Sequence, residues 1–353
     1  MKKILIKIYK FQIRFRTQIL PKLFVFNPFL SSLYYLLFSN QFKREQHAVL
    51  KGKMKHLKDL KFHKNNIYTL IRNVHRVEKG LIMKERRLIF AVDFISETMD
   101  AFIALWSVEK ISKNAQYQWF YDVLNEYFEV TGSHKVIDSE RARFKEHTKK
   151  YIEKKSNNNT IKNSPYRRHL KVESKISYDQ FYDLTVYRRS VRWFLDKKVS
   201  HDLVDKAILA AKQSPSACNR QPFKFRIFDD PILLKEVANL PMGVKGYVEG
   251  IPMMIAVVGN LDAYFDERDR HIIYIDGSLA SMTFMYALET LGLSSCAINW
   301  PDIEHLEKKM EMTLKLEKHE RVIMWIAVGH PDLDLKVAYS GKREISDIRT
   351  YNK

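Results

Sequence analysis

Only two cysteines occur in 353 residues, Cys218 and Cys296, with no CxxC pair and no Cys/His cluster. A disulfide scaffold and a structural zinc site are therefore not expected, and the cysteine usage fits a reducing cytoplasm. Neither GxGxxG nor GxxxxGK followed by Ser or Thr is present, which leaves a Rossmann or P-loop nucleotide site without support. No internal repeat is found. No apolar run of about 20 residues goes uninterrupted, as a spanning helix requires. The best candidate, Ile19–Phe38, is broken by Pro21, Lys22, Asn27 and Pro28. An early apolar core and a small-residue cleavage site are likewise not evident, so no signal peptide is read. Acidic residues are scarce at the start: residues 1–56 hold twelve Lys or Arg against one acid, Glu45.

What the chain does have is enough apolar material, 46 %, for two ordinary hydrophobic cores. Its net charge of +19 favours anionic partners, or else describes a solvated basic surface. No recognised nucleic-acid module accompanies the charge, so nucleic acid is set aside as a partner. The basic, aromatic segment 1–60 has two readings. It is an interfacial anchor, with Lys and Arg meeting anionic lipid, or a helical hairpin packed on its own protein. The first reading places the protein peripherally at the inner membrane face.

Residues 61–152 read as a helical region. Leu88, Ala91, Ile95, Met99, Phe102 and Trp106 recur at the spacing of one buried face, as do Tyr117, Phe120, Leu124 and Phe128. Within Arg72–Arg87, His75, Glu78 and Lys79 share a helical face; His75 and Glu78 alone make no zinc site, and no metal is expected. The polar run from Glu153 to Arg168, broken by Pro165, marks a linker over residues 153–176. Residues 177–353 form the second domain. There Ser177 and Gln180 pair as a capping box ahead of Phe181, Leu184 and Tyr187, and a helix from Ser200 turns Leu203, Val204, Ala207, Ile208 and Ala211 inward. Strands are expected at Phe223–Phe228, Met253–Val258 and Val322–Val328, with a helix buried on nearly every face over Asp276–Leu293, stopped at Gly292. Without clean βαβ units the class is α+β.

Four short motifs carry chemistry. In Tyr187–Phe194 an extended backbone puts Arg188, Ser190 and Arg192 on one side, two guanidinium forks and a hydroxyl suited to a phosphate. Ser214–Phe223 offers hydroxyl, amide and backbone groups for the polar edge of a flat heterocycle, or is an ordinary helix-stop loop. Leu291–Pro301 leads out of the buried helix, and AVGHPD is followed by a basic point at Ser340, Lys342 and Arg343.

Together, RRSVRWF, PSACNRQPF, LGLSSCAINW and IAVGHPD with its trailing SGKR resemble, in order, the motifs of the FMN-dependent nitroreductase family over about Tyr178 to Ile348. The resemblance implies an α+β fold and an obligate homodimer with FMN at the subunit interface. Position by position, Arg188, Ser190 and Arg192 would hold the phosphate and the polar flavin edge, with Arg189 adjacent. Pro215, Ser216 and Asn219, supported by Gln221, would come from the partner's loop. Ala297 to Trp300 would lie beside the isoalloxazine, with a backbone amide near Asn299 facing its reactive nitrogen. Family members often have an acid and then glycine where this chain has Asn299 and Trp300. Ser340 with Lys342 or Arg343 would complete the phosphate site, and Lys245 would lie near the flavin. The implied activity passes electrons in ping-pong fashion from NADH or NADPH through FMN to a small organic acceptor, such as a nitro compound or quinone. It requires no side-chain acid or base, so no catalytic residue is named. The competing reading is a non-catalytic accessory protein that docks a membrane or assembly through its basic N-terminal half.

Overall fold

The computed structural model describes residues 2–63, 66–111, 114–154, 162–171 and 173–352. The expected linker thus lies partly outside the described residues; its described part includes Asn163, whose backbone N–H donates to Asp122.

Helix α1 (Lys2–Arg14) continues through a π-helical turn, Phe15–Ile19, into α2 (Leu20–Phe24). Asn27 caps α3 (Pro28–Leu37) by accepting from Leu30 N at 2.9 Å, and Pro28 sits where a missing N–H costs nothing. The α2–α3 turn closes on aromatic edges: Phe24 lies 6.0 Å from Tyr34 and 5.4 Å from Phe38, centroid to centroid. So a hairpin forms, but it does not pack on the body. Among the described side chains of residues 4–38 only Leu20 is buried, while Ile4, Leu5, Tyr9 and Phe11 stand more than 60 % exposed. Among the described residues no helix is long and apolar enough to cross a membrane.

Helix α4 (Lys43–Lys58) straps this region to the C-terminal half. Arg44 pairs with Glu304 at 2.9 Å and Glu311 at 2.6 Å, Lys53 with Glu267, and Lys55 with buried Asp262. Gly52 lets the helix touch backbone: a Cβ there would lie 2.6 Å from the Leu261 carbonyl carbon. Helices α5 (Ile67–Leu81), α6 (Ile95–Leu105), α7 (Val108–Ile111), α8 (Ala115–Val130) and α9 (Lys135–Lys154) then enclose a core with Val74, Met99, Phe102, Phe120, Tyr127 and Phe144 at its centre. The apolar spacing from Leu88 to Trp106 does not form one helix. Ala91 is left-handed (φ 63°) and Leu88 is 66 % exposed, because Leu88 O accepts from Gly132 N at 2.8 Å and carries the chain across the bundle before α6 begins.

In the C-terminal half, α10 (Tyr178–Tyr187) starts with the expected Ser177–Gln180 capping box, yet none of its residues is buried. Helix α11 (His201–Ala211) follows. Strands β1 (Phe223–Phe228), β2 (Met253–Asn260), β3 (Ser294–Asn299) and β4 (Glu320–Gly329) form an antiparallel sheet in the order β1-β2-β4-β3. The residues of β2 are buried on both faces, which is why it reads as one apolar run. Met253, Ile255 and Val257 pack with α11 and α13 (Ile272–Thr290). Met254, Ala256 and Val258 face the opposite layer, with α12 (Pro231–Ala238) and α14 (Glu304–Leu314). A short α15 (Ile345–Ile348) lies in an exposed tail. Helix α13 is not covered on every face as its composition suggests: Ile275 is 52 % and Leu279 44 % exposed. Adding a methyl at Gly52 presses α4 off the Leu261 turn, so Gly52→Ala is expected to destabilise the protein by about 1–3 kcal/mol, the usual overpacking cost, in urea titrations.

Candidate functional site

Helix α10 hands the chain to an extended segment stitched along the sheet. Val191 N donates to Ser295 O at 3.0 Å and Leu195 N to His330 O at 2.9 Å, while Ser190 bridges Ser295. Val191 turns inward and Arg192 outward. Arg188 caps α10, and its Nε is buried without a hydrogen-bond partner. Ser295 Oγ and Glu289 Oε1 are orphaned in the same way. Burial pushes the Glu289 carboxyl up to about 7, against the pull of the Ser294 hydroxyl and the Arg188 charge. Arg189 instead folds back on the backbone, Nη1 donating to Arg188 O at 2.9 Å. Arg192 is exposed, donates weakly to Ser190 O at 3.4 Å, and holds its guanidinium 6.0 Å from the Tyr247 ring centre. The Tyr247 hydroxyl sits 3.9 Å from Cys296 Sγ, and burial raises its pKa.

The loop after α11 is a tight knot. Cys218, Asn219 and Gln221 are all left-handed, with φ of 52°, 56° and 50°. Each such non-glycine residue costs about 1–3 kcal/mol and persists only where its surroundings over-determine it. Here they do. Ser216 Oγ accepts from Gln221 N at 3.1 Å, Gln221 Nε2 donates to Asn219 Oδ1 at 3.2 Å, and Ala217 N donates to Asp276 Oδ2 at 3.0 Å. Burial raises the Asp276 pKa, opposed by that N–H and by Arg220, which lies buried with its guanidinium 5.0 Å from the Tyr264 ring centre. Pro215 stays exposed.

On β3 the side chains alternate: Cys296 and Ile298 point into the core, Ala297 and Asn299 outward. Trp300 does not share that open face; it is buried, donating to Glu307 Oε1 at 2.6 Å. Lys245 is exposed in its turn. Ser340, left-handed at φ 53°, with Lys342 and Arg343, lies on the exposed tail, where Arg343 donates to Asp347 O within the tail.

One chain therefore gathers Arg188 and Ser190 onto β3, whose Ala297 and Asn299 face outward, and holds Ser216, Asn219 and Gln221 elsewhere. Asp276 and Glu289, the anchors of the two places, are thirteen residues apart on α13, roughly 20 Å at 1.5 Å per residue. The sequence reading did not foresee that the helical half reaches the loop. Helix α5 packs on the Ala217–Asn219 turn and brings Arg72 there, bonded to Glu97 Oε2 at 3.3 Å and set 5.1 Å from the Phe265 ring centre. Burial lowers the Arg72 pKa, Glu97 opposing it and Arg220 adding to it. The only sequence signal was the charge density of Arg72–Arg87.

Residues 185–244 and 245–330 match the family model described as Nitroreductase family. The C-terminal half thus carries a nitroreductase-family domain, a mixture of helices with an antiparallel sheet. Mouse iodotyrosine deiodinase 1 is 20 % identical over 211 residues, covering 52 % of this chain and 73 % of that protein. A protein of Methanothermobacter thermautotrophicus, named as a candidate NADH dehydrogenase/NAD(P)H nitroreductase, is 26 % identical over 171 residues, 46 % of this chain and 85 % of its own. The structure of an FMN-dependent nitroreductase from Clostridium difficile R20291 covers 48 % of this chain and 98 % of its own at 23 % identity, with a TM-score of 0.40.

Glu289 provides a test of the site's electrostatics. Its carboxyl holds a proton more tightly folded than unfolded, so its contribution to stability is complete below about 4.5 and is lost as pH rises through about 7. Chemical denaturation across that range is expected to show Glu289→Gln gaining on the parent as pH rises, with the two alike in acid.

Proposed function

We propose that this protein is an FMN-dependent oxidoreductase that takes electrons from NADH or NADPH and delivers them to a small organic acceptor. The observation that carries the reading is the orphaned Arg188 Nε beside the segment that pairs with Ser295, whose Oγ is also orphaned. A buried guanidinium N–H without an acceptor costs free energy, and an anionic oxygen supplies what is missing. Glu289 fits beside such an anion because its raised pKa lets it stand neutral and donate a proton rather than repel. Bound FMN supplies two-electron chemistry; the protein's part is to bind and orient it. Arg188, Ser190 and Arg192 hold the phosphate and polar edge, Arg189 steadies the turn, and the open face of Ala297 and Asn299 leaves room for the ring. Lys342 or Arg343, with Ser340, adds positive charge once the tail folds in.

Homodimerisation belongs to this reading. The loop of Pro215, Ser216, Asn219 and Gln221 hangs from the far end of α13, so it and the arginines serve one FMN when a second copy contributes one of them. Uncovered apolar faces support a second copy as well: Phe181 and Tyr187 on α10, Ile275 and Leu279 on α13.

Arg188→Ala and Arg192→Ala each remove a charge-assisted bond, about 1.5–3 kcal/mol, and are expected to weaken FMN binding roughly ten- to a hundredfold in fluorescence titrations of a species that light scattering finds dimeric. Unchanged FMN retention, or a monomer holding stoichiometric FMN, defeats the assignment.

The hairpin α1–α3 supports a second element of the proposal, peripheral attachment to anionic lipid at the inner membrane face. Its apolar side chains are exposed and its neighbouring charges are basic, each worth about 1 kcal/mol near an anionic surface. Full-length protein is expected to float with phosphatidylserine vesicles at low salt and to detach at high salt. The double variant Ile8→Glu/Phe11→Glu should stay in solution at both.

A further inference from the structure

An open cavity of about 850 Å³ lies where the first turn of α8 faces the loop after α11. It is lined by six carboxamides, those of Asn114, Gln116, Asn163, Gln213, Asn219 and Gln221. Trp119 adds an aromatic ring, partly buried, and Lys212 the only charge in the described lining. We propose that this cavity binds a saccharide, and that the helical half thereby selects a carbohydrate-bearing substrate for the nitroreductase-family domain. The substrate role rests on the flavin reading above; the binding does not.

The chemistry of the lining argues for this class of ligand. A carboxamide offers two donors and an acceptor without net charge, which suits vicinal hydroxyls that both give and take hydrogen bonds. A flat nitroaromatic or quinone wants an apolar slot, and only Trp119 and Ala115 are apolar here. A polyanion wants several cations and a metal ion wants carboxylates; the described lining has one lysine and no acid. Trp119 presents an apolar ring against which the C–H face of a sugar can lie. The volume falls within the roughly 300–1,000 Å³ of small-molecule sites.

The walls are also braced from behind. Glu78 Oε1 accepts from Trp119 Nε1 at 3.2 Å, and its other oxygen lies 3.3 Å from His75 Nδ1, so His75 and Glu78 together fix the indole. Buried Asp122 accepts from Gln118 Nε2 at 2.7 Å and from Asn163 N at 2.8 Å, pinning the returning chain beside α8. Asn114 caps α8 through its Oδ1, which leaves its amide N–H groups for a ligand. On the opposite wall the left-handed residues hold Asn219 and Gln221 in a fixed mutual bond. No hydrogen bond occupies the side chains of Gln116, Asn163 or Gln213 among the described residues. Glu78 and Asp122 are thus spent as braces, while the side chains of Gln116, Asn163 and Gln213 stay free among the described residues.

The test titrates the full-length protein with methyl glucoside, N-acetylglucosamine and glucuronic acid, following intrinsic fluorescence and calorimetric heat, with p-nitrobenzoate and a naphthoquinone as flat controls. FMN content and thermal unfolding are recorded on the same preparations. At least one saccharide should bind, and Trp119→Ala and Gln116→Ala should each weaken it about tenfold, the loss of one good contact, with FMN content unchanged. Lys212→Ala should lower glucuronic acid affinity more than that of the neutral sugars. Gln116→Ala removes a partly exposed side chain and guards against a folding artefact at Trp119. Failure of all three sugars to bind, or binding undiminished in both variants, overturns the proposal. A protein that holds FMN yet binds no sugar defeats this inference alone; one that binds sugar but no FMN defeats the flavin reading and leaves the site standing.

Discussion

Two carboxylates toward opposite ends of α13, buried Asp276 and half-buried Glu289, govern where the candidate site's parts can be. Asp276 accepts the backbone N–H of Ala217 and so anchors the strained loop; Glu289 sits in the electrostatic field of Arg188 and accepts from Ser294 at the root of β3. The helix between them is pressed onto the sheet. A Cβ at Gly277 would lie 2.4 Å from Ile323 Cδ1, and one at Gly259 2.8 Å from Ile273 Cβ. Closeness of that kind fixes the helix axis, and the axis fixes the roughly 20 Å between loop and arginines. Burial raises the pKa of both acids, opposed at Asp276 by the Ala217 N–H and Arg220 and at Glu289 by the Ser294 hydroxyl and Arg188.

The helical half is joined to this frame through Asp262 and through a small apolar cluster in which Ala48 meets Leu261, Ala263, Tyr264 and Ile273. Lys55 and His319 reach its Oδ2, and His56 Nδ1 lies 2.8 Å from its backbone oxygen, with burial lowering the His56 pKa. Tyr68 adds a hydrogen bond from Asn260 at 3.2 Å. Such a seam is directional: a buried charge that loses its partners costs far more than a lost apolar contact, so the two halves meet in one register. That register brings α5 to the loop and α8 to the far wall of the amide-lined cavity.

How legible this was in the sequence varied with the range of the contacts. Strand β1, α11 and the Ser177 capping box could be read because their signals are local, lying within six to eleven residues. Strand β3 escaped because Ser294 and Ser295 look like a turn; they are buried because β4 pairs with them on one side and Ser190, a hundred residues earlier, bridges Ser295 on the other. The Leu88–Trp106 spacing misled because a carbonyl bond to Gly132 outweighs helical periodicity. Of the site, the order of the four motifs was readable and the knot linking Ser216, Asn219 and Gln221 was not, since left-handed Cys218 and Gln221 have no propensity signature. The cavity was invisible: Asn114, Asn163 and Gln221 meet only after three segments have folded.

Charge separates the two uncovered apolar surfaces. Helix α1 sets Ile, Leu, Tyr and Phe among Lys7, Lys10 and Arg14, with no acid, whereas α10 sets Phe181, Tyr182 and Tyr187 beside Asp179 and Asp183, with no base. Apolar burial alone would let either face meet a membrane or another protein. The adjacent charges decide between them, because they act within a Debye length of about 8 Å, the distance over which a contact surface is chosen. An anionic bilayer attracts α1 and repels α10. The exposed tail carries the opposite charge: Lys336 lies between Leu335 and Val337, and Lys342, Arg343 and Arg349 follow Tyr339. Helix α10 thus presents an apolar face bordered by acids and α1 one bordered by bases, so the two faces suit partners of opposite charge and do not compete for one surface.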